Sequence, residues 1–117
     1  MDNYVEVLRN EFEAGDGSFL IKLRPDLDWD KEAFSRLVVA MQLYCEKHAG
    51  SETLERWVAF GFWYIPRFVR DWTTHPNFPH QYPDNYYEQA YQRLDDLAYW
   101  YFMGESPYLD GAGFGPI

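Results

Sequence analysis

The stretch Leu54 to Trp72, LERWVAFGFWYIPRFVRDW, restricts the possible folds more than any other part of this chain. At 100° per residue, Leu54, Trp57, Val58, Gly61, Ile65, Phe68, Val69 and Trp72 fall on one face of a helix. Phe60, Phe62, Trp63 and Tyr64 make most of the remaining circumference apolar, and a helix that is hydrophobic nearly all round belongs inside a protein. The run from Trp57 to Pro66 is far shorter than the roughly 20 apolar residues that cross a bilayer, and Arg56, Arg67 and Arg70 bound it. The expectation is a central core helix. Pro66 lies inside the periodic pattern, lacks a backbone donor and clashes with the preceding turn, which predicts a kink near Phe62.

Three amphipathic helices are expected around it. A short first helix, capped by Asp2, places Tyr4, Val5, Leu8 and Phe12 on one face and ends at Gly15-Asp16-Gly17. A second, capped by Asp28 or Asp30, carries the stripe Phe34, Leu37, Val38, Met41, Tyr44 and Cys45 to about His48 and stops at Gly50. Ser51 is the expected cap of the central helix, with Glu52 and Glu55 in its first turn. The proline-rich segment Thr73 to Asp84 reads as a rigid loop in which His75 closes the central helix by bonding its last carbonyls. The last helix runs from a cap at Asp84 or Asn85 to about Met103, with Gly104 at the left-handed C-terminal position. Its inward face is Tyr87, Ala90, Tyr91, Leu94, Leu97, Ala98 and Tyr101.

Phe19 to Leu23 would be a lone strand with nothing to pair with, and Arg24-Pro25 favours extended backbone, so this segment reads as a connector crossing the core. The fold class is therefore all-α: one domain over residues 1–117, a bundle of four helices around a buried, Pro-kinked central one. The Gly-rich tail, residues 105–117, is either disordered or anchored by Tyr108, Leu109 and Phe114.

Nineteen acidic against ten basic residues give a formal charge of −9, which repels nucleic-acid phosphates and anionic lipid and leaves a basic protein as the natural partner. Aromatics are 21% of the chain and ten of them are Tyr, whose hydroxyl needs a partner even when the ring packs, so some rings are expected to face a partner. Cys45 stands alone and the first ten residues lack the basic-then-apolar pattern of a secretory signal, from which a reducing cytoplasm is expected.

The chemistry of catalysis finds little support. His48, His75 and His80 have no spacing that puts two metal ligands on one helical face, so neither a metal nor another cofactor is expected. Cys45 lies on an inner stripe, where a thiol is inert packing, with His48 three residues on. Asp95-Asp96 and Asp28/Asp30 are not opposed across a substrate, and Gly111, Gly113 and Gly115 open no helix that could cradle phosphate. A non-enzyme is the expectation.

Two surfaces could instead bind. The outer face of the last helix mixes Glu88, Gln92, Asp95 and Asp96 with Tyr99, Trp100 and Met103, the composition of an interaction patch. The competing reading packs Tyr99 and Trp100 under the tail or the first helix. The back of the central helix carries Arg56, Phe60, Trp63, Arg67 and Arg70 at spacings of four, three, four and three. That seam could grip a carboxylate, but packing against an acidic helix of the same chain is the simpler account.

Trp72-Thr73-Thr74-His75-Pro76 followed by Asp84-Asn85-Tyr86-Tyr87 is loosely similar to the colicin DNase immunity proteins, in which a helix ending in His-Pro precedes a Tyr-Tyr element that binds the toxin. More broadly, the acidic, all-helical, aromatic-faced chain resembles the small immunity proteins of bacterial polymorphic-toxin and bacteriocin systems. The tyrosines open a long helix here, and the central helix is more apolar than in that family. The resemblance implies occlusion of a toxin's surface without catalysis, with Tyr86 the better-placed of the two tyrosines. The expected mechanism is steering by Asp84, Glu88, Asp95 and Asp96, with Gln92 in the same patch, then anchoring by Tyr86, Tyr99 and Trp100. The alternative is a small-molecule-binding protein or minor enzyme whose aromatic pocket is floored by Trp57, Trp63 and Tyr64, with Arg67 for an anionic group.

Overall fold

Among the described residues of the computed structural model, 3–108 and 113–117, there are five helices and no strand. They are α1 (Tyr4–Phe12), α2 (Phe19–Asp26), α3 (Lys31–His48), α4 (Arg56–Thr73) and α5 (Asp84–Met103). The all-α expectation holds, while the expected four-helix count does not, because the segment taken for a connector is helical.

Two side chains start α2 by satisfying its free N–H groups: Ser18 Oγ accepts from Ile21 (3.2 Å) and the Glu11 carboxylate accepts from Phe19 (2.8 Å). Phe19, Leu20 and Leu23 then turn into the core. Pro25 is tolerated in the last turn, after which Leu27 takes a left-handed conformation (φ 53°) and the Asp28 N–H bonds the Lys22 carbonyl at 3.2 Å.

The inner face of α1 also differs from expectation. Leu8 and Glu11 are buried and Val5 is exposed; the expected cap Asp2 lies outside the described residues. Burial pushes the Glu11 carboxyl above its ordinary value, against the opposing pull of the Phe19 N–H and of Arg36, whose Nε donates to it at 3.1 Å.

Of the two cap candidates for α3, Asp30 takes the position, accepting from the Ala33 N–H (3.1 Å) and from Lys22 Nζ (2.6 Å). Both contacts favour its ionised form and hold its carboxyl below 3.8. A depressed folded-state value makes this contribution complete above pH 3.8 and lost as pH falls through the folded value. Asp30→Asn keeps a capping oxygen and drops the ion pair, so Tm followed against pH should fall less steeply at the acid end than in the parent.

The central place belongs to α3 rather than α4. It packs against α1, α2 and α5 and buries its whole expected stripe together with Ala33 and Ala40. Val58, Gly61, Phe62, Ile65, Pro66, Val69 and Thr73 of α4 are buried against its neighbours, α5 and α1. Phe60 (55% exposed) and Trp63 (52%) face outward, so α4 is not a buried helix. Pro66 does not interrupt it, and residues 56–73 are helical throughout.

The helix starts also differ from expectation. Ser51 caps nothing in α4, which begins at Arg56; its Oγ closes a turn with Thr53 instead, and Glu52 and Glu55 precede the helix. Asp84 is the first residue of α5 rather than its cap, which is Pro83. In the 74–83 loop, His80 Nε2 donates to the Thr73 carbonyl (2.6 Å) and stacks on Tyr87 (4.4 Å). His75 Nδ1 accepts from Asn77, so His80, not His75, closes α4.

Trp29, in the short link between α2 and α3, was singled out by nothing in the sequence and is the hub of the core. Phe19, Phe34 and Tyr87 lie at 4.9, 5.2 and 5.1 Å from its ring, and Nε1 donates to the Tyr86 hydroxyl (2.9 Å).

Candidate functional site

Helix α5 is flanked on both sides and open between. On one flank Arg70 of α4 donates to Asp95 Oδ2 at 3.0 Å and lies over the Tyr91 ring. On the other flank the tail folds back. Tyr108 OH donates to Asp96 Oδ2 (2.6 Å), Phe114 packs on Trp100 (5.4 Å), and Arg93 Nη2 donates to the Gly115 carbonyl (2.7 Å). Asp84, Glu88, Gln92, Asp95, Tyr99 and Phe102 lie within about 80° of arc between these flanks. Tyr99 (45% exposed) and Phe102 (46%) end this stripe, and Asp84 and Glu88 begin it. Among the described residues neither of these two carboxylates accepts a hydrogen bond or forms an ion pair.

The structure therefore divides the residues expected to form one patch. Asp84, Glu88, Gln92, Asp95 and Tyr99 share the open stripe. Asp96 does not: it is buried, accepts from Gln92 Nε2 (2.8 Å) and Tyr108, and fastens the tail. Trp100 is half-buried against Phe114. Tyr86 is half-buried, with its hydroxyl on Trp29 and pushed up to about 12 by desolvation, while Tyr87 is in the core. Neither tyrosine of the pair is free on the surface. Phe102 was missed, although its place eighteen residues after Asp84 puts it on the same line.

Positive charge is largely consumed inside the chain. Arg9, Lys22, Arg36 and Arg70 close ion pairs. Arg24, Lys31, Lys47, Arg67 and Arg93 lie over aromatic rings. The acidic excess is thus left at the surface.

Trp57, Trp63, Tyr64 and Arg67 do not floor one interior pocket. Trp63 faces outward with the Arg67 guanidinium 5.2 Å from its ring centre. Trp57 points elsewhere, beneath Arg9 (4.1 Å). Tyr64 belongs to an external ladder, Phe60, Tyr64, Phe68 and Trp72, whose successive rings stack at 5.2, 5.5 and 5.5 Å. Among the described residues the arginine seam on the back of α4 forms an ion pair with an acidic helix only at Arg70; its aromatic members Phe60 and Trp63 stay exposed.

Burial raises the Cys45 thiol to about 12, which keeps it protonated and unreactive. Among the described residues no three His, Cys, Asp or Glu side chains converge as metal ligands, and no helix is long and apolar enough to cross a membrane. No protein-family model, curated protein or solved structure matches the chain at a significant level.

Proposed function

We propose that this chain is an immunity-type binding protein, which neutralises a basic cognate protein, a toxin, by docking on it through the open stripe of α5. The observation that carries this reading is the ordering of that stripe: Asp84 and Glu88, without an ion pair among the described residues, at one end, and exposed Tyr99 and Phe102 at the other. Carboxylates of this kind steer a basic surface into encounter and act mainly on the association rate. Aromatic side chains supply desolvated contact area at low entropic cost and act mainly on the dissociation rate. Catalysis by this chain plays no part; the partner is inactivated because its functional surface is covered.

Double charge reversal, Asp84→Lys with Glu88→Lys, should slow association about tenfold at low salt and flatten its salt dependence. Tyr99→Ala should leave the association rate near its parent value and speed dissociation. The test is comparative capture from lysate of the source cells. A basic protein retained by the parent and lost by the variant that combines Asp84→Lys, Glu88→Lys and Tyr99→Ala, and whose toxicity on expression is suppressed only by the parent, supports the reading. Equal retention or equal protection by the variant removes α5 as the interface.

A further inference from the structure

Helices α3 and α5 end side by side. Gly104, left-handed at φ 84°, closes α5 with its N–H on the Trp100 carbonyl (2.8 Å), and a Cβ added to it would lie 3.5 Å from the Ala49 carbonyl oxygen. Two sets of C-terminal carbonyls therefore meet, each equivalent to roughly half a negative charge. The 50–55 connection arches beside them, held by Ser51 Oγ, which accepts from the Thr53 N–H (3.2 Å) and donates to its carbonyl (2.8 Å). Between them lies a cleft of about 440 Å³ with Glu52 and Glu55 in its lining.

Glu55 is held but not neutralised. Tyr44 OH donates to its Oε1 and Trp57 Nε1 to its Oε2, each at 3.3 Å, and among the described residues neither Glu52 nor Glu55 forms an ion pair. Tyr101 also lines the cleft. It is more than nine-tenths buried (7% exposed), with its ring stacked on Phe62 at 4.3 Å. Its hydroxyl has no hydrogen-bond partner, which is true of no other buried side-chain nitrogen or oxygen among the described residues. A buried hydroxyl in that state is a standing cost, and because almost none of its own surface is accessible, an incoming polar group removes that cost by a small shift of the side chains around it.

We propose that this cleft is a binding site for a guanidinium group, with Glu55 taking its charge and the Tyr101 hydroxyl accepting one of its N–H groups. Helix C-termini and glutamates select a cation over an anion. The walls then select the kind of cation: His48, half-buried in the lining and stacked on the buried Tyr44 at 3.9 Å, is the ring against which a planar, weakly hydrated ion would lie. A hard divalent metal would need several charged oxygens converging on one point, which the described residues do not supply. Burial and the charge of Glu55 hold the Tyr101 hydroxyl up near 12, so it meets the ligand protonated and offers its lone pairs. The site uses neither Asp84 nor Glu88; it adjoins the α5 stripe at Phe102, which lines both.

The test is an NMR titration of the full chain with three probes: N-acetyl-arginine amide, agmatine, and the neutral isostere N-acetyl-citrulline amide. Both cations are expected to shift the amides of Glu55, Tyr101 and Gly104, and citrulline amide is not. Glu55→Gln should weaken binding about tenfold or more, since it removes a charge-assisted contact. Tyr101→Phe should weaken it about threefold to tenfold. The same variant should not lower the Tm of the free protein, because it deletes an unpartnered hydroxyl and keeps the ring on Phe62. Tighter binding of the arginine amide than of agmatine assigns the site to a protein side chain, and the reverse order assigns it to a free small molecule. Citrulline amide binding as well as arginine amide, an unchanged affinity in Glu55→Gln, or a Tm drop in Tyr101→Phe would overturn the proposal.

Discussion

Trp29→Ala is expected to lower the unfolding free energy by about 3–5 kcal/mol, the range for removing a fully buried aromatic. Native domains hold only about 5–15 kcal/mol in total, so this single change should leave the chain close to its folding limit. Three effects add. The indole is 2% exposed, edge-on to Phe19 and Tyr87 and tilted against Phe34; these rings belong to three different helices and would all border the cavity. The Tyr86 hydroxyl loses the N–H that satisfies it. The link between α2 and α3 loses the side chain that pins it to the core. Trp29→Phe separates these effects, because it retains most of the ring and removes the donor, and it should cost markedly less. Denaturant unfolding followed by far-ultraviolet circular dichroism gives both values; a loss below about 1 kcal/mol in Trp29→Ala, within the ordinary range for surface sites, would contradict the hub role.

Gly61→Ala is expected to destabilise by about 1–3 kcal/mol, even though alanine is the better helix former by roughly 1 kcal/mol. The reason is geometric. An added Cβ at Gly61 would fall inside the Phe12 ring, which rests on the bare helix backbone with Phe62 and Trp57 around it. The ring cannot retreat without breaking those edge contacts between α1 and α4. In a Phe12→Ala background the obstruction is gone, and the same glycine substitution should become neutral or stabilising by up to about 1 kcal/mol. This change of sign is what a double-mutant cycle would detect. If Gly61→Ala destabilised equally in both backgrounds, the close approach of α1 to α4 would not be the cause.

Much of the fold was legible because periodicity records burial directly. The α3 stripe from Phe34 to Cys45 is buried as its spacing requires, and Gly104 ends α5 in the left-handed conformation that glycine adopts without strain. What escaped depended on distant partners. The start of α2 depends on the Glu11 carboxylate eight residues earlier, and local signals around Arg24-Pro25 argued for extended chain. Glu11 itself falls seven residues after Tyr4 and three after Leu8, on the inward face, but its charge concealed the position. The hydrophobicity of α4 is present all round, yet a bundle of five helices covers only one side of it, and nothing in the wheel says which. Trp29 was hidden between two candidate caps, Asp28 and Asp30.

For the candidate site, composition was legible and geometry was not. Asp95 and Asp96 are adjacent in sequence but turn to opposite flanks of α5, and only the course of the tail decides that Asp96 is a fastening and Asp95 a surface group. Tyr101 looked like any other stripe residue. That its hydroxyl lacks a partner follows from what does not reach it across α3 and α4, a matter of packing that no local pattern encodes.

The outward Trp63 and the sealed Trp29 also make the protein its own optical instrument. An indole in apolar surroundings emits at shorter wavelength than one in water and is shielded from dissolved quenchers. The native emission therefore sums a sealed Trp29, half-buried Trp57 and Trp100 and the accessible Trp63 and Trp72, and iodide, drawn toward Arg67 above Trp63, should extinguish the accessible pair first. Unfolding would be read in the loss of the sealed, short-wavelength component that Trp29 contributes, and any molecule settling on the outer face of α4 in the lost quenching of Trp63 and Trp72, with no label attached.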